Sequence, residues 1–172
     1  MSTEEITPYV APEGLSLVDI RMDSQRFPRL KALLAPTAVR QLSAVIAMAY
    51  VYTGRPADEG KIRLLAGALH TELLADKRGL GTANITVDEV AHAVKDAILN
   101  ADGDVFINLA FIYRAVCNYA QGAGNDAQQE AYRRTVAARQ QALDRSPVGA
   151  MLTTYAGRML NNTTQPHNTE KK

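Results

Sequence analysis

TAVRQLSAVIAMAYVYTG, residues 37–54, decides the fold. Its apolar residues neither alternate, as a half-buried strand requires, nor keep to one helical stripe. From Leu42 to Tyr52 only Ser43 is polar. The run predicts a helix that opens near Thr37, ends at Gly54 and is apolar almost all round. Such a helix needs neighbours on every side, so it runs through the middle of the domain. It cannot span a bilayer, because AVIAMAYVY at 44–52 is half of the roughly 18 apolar residues required.

Working outward, Asp58 is placed to cap a second helix that reaches about Ala75, with Ile62, Leu65, Ala66, Leu69 and Leu73 on one face. The glycines of KRGLGTAN close it. ITVDE then carries a capping box, in which the Thr86 hydroxyl accepts from the third amide and the Glu89 carboxylate reaches back. Val87, Val90, Ala91, Val94 and Ile98 form the stripe that this third helix buries. Asn108 suits the cap of a fourth, LAFIYRAVCNYAQ, apolar on nearly every side and stopped by GAGND at 122–126. A fifth helix, about 127–145, is rich in Gln and Arg, and VGAMLTTYAGRML predicts a short sixth. A short helix is also expected over 25–34, before Pro36. The expectation is all-α: a single bundle of five to six helices, two of them largely buried at the centre. Residues 1–25 read as an acidic N-terminal arm with one ordered piece at LSLVDI, residues 26–160 as the helical domain, and residues 161–172 as a disordered polar tail.

Composition bounds the rest. With 172 residues, 47% hydrophobic and 22% charged, the chain is long enough for a real core and ordinary enough for a globular protein. MSTEEITPYV has no apolar signal core, and the single Cys117 forbids an internal disulfide, so the cytoplasm is the expected compartment. The net charge of +1 conceals blocks of −4, +5, −4 and +4 over residues 1–25, 26–78, 79–126 and 127–172.

Chemical motifs are few. NADGDVFINLAF, 100–111, sets Asn100, Asp102 and Asp104 at the first, third and fifth places of a calcium loop. Its sixth and twelfth places, however, hold Val105 and Phe111 where glycine and glutamate are needed. A turn at Asp102–Gly103 and a cap at Asn108 account for the same residues, and no metal is expected. EVAH, 89–92, has Glu-x-x-His spacing without the second copy that a di-iron bundle needs, and His92 lies off the buried stripe. His70 and Glu72 do not share a face, no nucleophile motif accompanies a histidine, and no phosphate-binding glycine loop occurs. Neither catalytic residues nor a cofactor is expected. On the fifth helix, Arg134, Gln141 and Arg145 share a face with Arg133 beside it, a surface able to meet a partner protein or track phosphates. Arg139 projects instead into the Tyr132–Val136–Leu143 stripe.

YVYTGRPADEGKIRLLAGAL (50–69), ITVDEVAHAVKDAI (85–98) and NLAFIYRAVCNYAQG (108–122) together resemble small all-helical accessory proteins of bacterial phages and mobile elements, some of them helicase-loader-like. The resemblance covers roughly residues 38–121 and brings no catalytic motif. It implies a non-catalytic interaction module, a replication accessory factor whose partner is a protein or a second copy. A nucleic-acid-binding regulator using the arginine face, and a phage-derived inhibitor or structural protein, are the alternatives.

Overall fold

The structure, a computed structural model, describes residues 5–147 and Met151. Its described residues are helical apart from turns and loops, with an isolated bridge between Arg29 and Thr86 and no strand. The six helices are α1 (Leu17–Met22), α2 (Ala35–Thr53), α3 (Glu59–Ala75), α4 (Val87–Leu99), α5 (Leu109–Gln121) and α6 (Ala123–Asp144). Single 3-10 turns occur at Leu30–Ala32 and Thr82–Asn84. None of the described helices is long and apolar enough to cross a membrane.

α2 is the axis. Pro36 stands in its first turn, where a missing amide hydrogen costs nothing, and Gly54 closes it at φ 63°. Leu42, Val45, Ile46 and Ala49 are fully buried, facing α3 on one side and α4 on the other. α5 packs on α3 and α4; it buries Ile112, Val116 and Tyr119 and leaves Arg114 and Asn118 in solvent. Asp58, Thr86 and Asn108 cap α3, α4 and α5, each side chain accepting from the amide three residues on. Thr86 and Glu89 complete the reciprocal box.

Two local expectations change. No α-helix forms over 25–34. Pro28 restricts Phe27 before it, and the Leu30 amide donates to the Ile85 carbonyl at 2.9 Å, so a tertiary bond takes the hydrogen a helix would use. GAGND does stop α5, at Gly122, but α6 begins one residue later, at Ala123 and not near 127. Gly124 is there for contact: a Cβ would lie 2.7 Å from the Tyr119 ring and 2.9 Å from its carbonyl oxygen.

Residues 5–16 form an extended strap that lies on the helices, and its Tyr9 amide donates to the Ala44 carbonyl. A Ser16–Asp19 capping box then starts α1, whose Ile20 and Arg21 are buried. The contacts divide the chain into two compact units, Met1–Ala131 and Tyr132–Lys172. Of the sixth helix expected over 148–160 only Met151 is described, and it is helical; the tail, 161–172, lies outside the described residues.

Candidate functional site

The arginine face belongs to the second unit. Arg133, Arg134, Gln141 and Arg145 are all exposed, the first three on α6 and Arg145 just past its end. Arg145 remains in register, its amide donating to the Gln141 carbonyl at 3.1 Å. Positions 134, 141 and 145 fall within about a ninth of the helical circumference, so those side chains share one surface. The apolar stripe of the same helix stands largely in solvent. Tyr132, Val136 and Leu143 are 71%, 45% and 43% exposed. Spacings of four and seven put the three on one face, and Arg139 beside them is exposed as well. The second half of α6 thus offers an apolar stripe that carries Arg139, with Arg134, Gln141 and Arg145 on the opposite side of the helix.

The principal charged cluster of the first unit escaped the sequence reading. Glu89 is fully buried, and three hydrogen bonds and a second arginine converge on its carboxylate. Its Oε1 accepts from Arg21 Nε and from the Tyr119 hydroxyl, the latter at 2.8 Å. Its Oε2 accepts from the Thr86 amide at 2.8 Å, with Arg29 Nη1 3.5 Å away. Arg21 also donates to Gln128 at 3.1 Å, while Arg29 donates to the Arg21 carbonyl at 2.9 Å. Burial and the Glu89 charge push the Tyr119 hydroxyl well above the ordinary phenol range, so it stays a donor. Burial lowers the Arg29 pKa against the opposing pull of Glu89. Both oxygens are engaged, Oε1 by two donors and Oε2 by the Thr86 amide. This cluster ties α1, α4, α5 and α6 together.

Periodicity could not reveal it. Glu89 lies on the far side of α4 from the Val87–Val90–Val94 stripe and reads as a surface cap. It is buried because α1 and α5 cover that second face. The one available signal was Arg21, a lone cation in the acidic segment 1–25.

The segment 100–108 is accounted for by turns and caps. Asn100 ends α4 and donates to Asp96, Gly103 takes φ 116°, and Asn108 accepts from the Phe111 amide. Asp104 faces solvent and pairs with Arg55 at 4.0 Å. His92 is exposed, its ring edge-on to Tyr119 at 5.9 Å, and Glu89 is committed elsewhere. His70 is buried, with no hydrogen-bond partner at its Nε2. Among the described residues no three ligand-type side chains converge as a metal site. Neither a protein-family model, nor a curated protein, nor a solved structure matches this chain.

Proposed function

We propose that the chain is a non-catalytic protein-interaction module of the kind that serves as a replication accessory factor of a phage or mobile element, docking through the second half of α6. One observation carries the reading: Tyr132, Val136 and Leu143 stand exposed on one helix face with Arg139 among them. Exposed tyrosine and arginine around aliphatic side chains is the composition of an interface centre. An amphipathic helix of this kind fits an apolar groove with an acidic rim, where the arginines steer the approach and the stripe holds the complex.

The test compares wild type with Tyr132→Ser/Val136→Ser in capture from the native host, and titrates both with a random-sequence duplex. Loss of a captured protein in the variant, with weak duplex binding by both, supports the module. The arginines would equally suit a phosphate backbone. Tight duplex binding that falls steeply with salt and ignores the apolar substitutions would make the chain a nucleic-acid-binding regulator instead.

A further inference from the structure

The strap is an unusual occupant of its seat. It crosses α2 from the α3 side to the α4 side. Ile6 lies over the first seam and Tyr9 over the second. Three residues of extended chain reach about 10 Å, the width of one helix. Ile6 and Tyr9 pack against the core, and open clefts remain along the path beside them. Clefts of about 700 and 270 Å³ flank Ile6, lined by Val39 and Ser43 and by Ala47 and Ile62 respectively. Clefts of about 320 and 280 Å³ lie either side of Tyr9, and both are lined by Asp88.

Its attachments are correspondingly few. Among the described residues, the hydrogen bonds that join the strap to the helices both come from Tyr9: its amide to the Ala44 carbonyl, and its hydroxyl to Asp88 at 2.5 Å. No side chain between Glu5 and Ser16 is fully buried. Beyond it, Gly14 turns the chain at φ 73° into α1, and α1 is held independently by Arg21 on Glu89. The strap can therefore leave without loosening α1. Local release of so lightly held a segment costs far less than unfolding.

We propose that the path across α2 is a peptide-binding groove, which takes an extended, tyrosine-bearing segment of a partner protein in place of the strap. The strap supplies the recognition rule. An aliphatic side chain rests over the α2–α3 seam, and three residues later a phenol donates to Asp88 while its amide meets the Ala44 carbonyl. Burial and Asp88 raise the Tyr9 hydroxyl far above the ordinary phenol range, so a ligand tyrosine at this place keeps its proton for donation. As a built-in competitor, the strap lowers apparent affinity by the fraction of time that it is seated. This groove belongs to the first unit and is separate from the α6 face proposed above.

The probe is a fluorescently labelled peptide with the sequence of residues 5–16, EITPYVAPEGLS, titrated by anisotropy against the full chain. Tyr9→Ala, which weakens the internal competitor, is expected to bind it at least ten-fold more tightly than wild type. Adding Asp88→Ala to that chain, or replacing the peptide's tyrosine by phenylalanine, should remove about ten-fold of the affinity. Should Tyr9→Ala fail to fold, Tyr9→Phe keeps the ring, deletes only the Asp88 bond, and should still bind several-fold more tightly than wild type. Arg134→Glu/Arg145→Glu should bind the peptide like wild type, so the α6 reading can fail without affecting this one. The proposal is overturned if no folded variant binds saturably, or if binding is indifferent to Asp88. A wild-type dimer that depends on Tyr9 would also overturn it, by assigning the groove to the strap of a second copy.

Discussion

At the scale of the residue, Glu89 concentrates the electrostatics of the first unit. Removing its charge would leave Arg21 buried without a counter-ion, the situation in which a buried pair becomes costly to break. Glu89→Gln is expected to destabilise the chain by about 3 kcal/mol, read from urea unfolding, with no change in slope if the unfolded state is unaltered. Tyr119 gives the pH dependence. Its folded pKa is raised, whereas the unfolded phenol titrates near 10, so above that pH the unfolded chain releases a proton that the folded chain retains. The associated stability is fully present below about pH 10 and is lost as pH rises from there toward the folded pKa. Tyr119→Phe should begin less stable at pH 7, for want of the Glu89 bond, and then decline less steeply with alkali. Urea midpoints that fall in parallel for both chains would show that Tyr119 is not the group responsible.

At the scale of the element, α4 depends on a start signal of unusual depth. Thr86 is fully buried, so the box it forms with Glu89 is not exchanged for water when it breaks. Thr86→Ala should cost at least the ~1 kcal/mol of an ordinary N-cap, and Thr86→Ser should recover most of it, because the hydroxyl remains. Equal denaturation midpoints for wild type and Thr86→Ala would show that the bond contributes nothing. α6 presents the opposite case. From Tyr132 onward its apolar residues face solvent, so its second half gains little from burial in this structure.

For the whole molecule, charge is segregated more than composition suggests. Residues 1–25 carry −4 and residues 127–172 carry +4, and Arg134 and Arg145 of the latter stand on the side of α6 opposite the exposed stripe. Arg134→Glu/Arg145→Glu reverses that face without touching a buried side chain, so circular dichroism and the melting temperature should hardly change. Capture of the partner should weaken most at low salt, chiefly through slower association. A rate constant for association that is unchanged at 20 mM salt would place the contact elsewhere.

The local syntax of this chain could be read without its fold. The three side-chain caps at Asp58, Thr86 and Asn108, the stop at Gly54 and the central place of α2 follow from hydrogen bonds and burial within a few residues of sequence. So do the face shared by Arg134, Gln141 and Arg145 and the turn-and-cap reading of 100–108, since both depend on helical pitch or on adjacent residues. Tertiary structure decided the rest. Leu30 gives its amide to Ile85 and not to a helix over 25–34; Gly124 admits the Tyr119 ring and so lets α6 follow α5 directly. Glu89 lies outside its helix's apolar stripe yet is sealed by Arg21, 68 residues away, and Tyr119, 30 residues away. The exposure of Tyr132, Val136 and Leu143 has the same origin. Periodicity shows which side chains share a face, but whether that face meets water depends on which distant segment arrives to cover it.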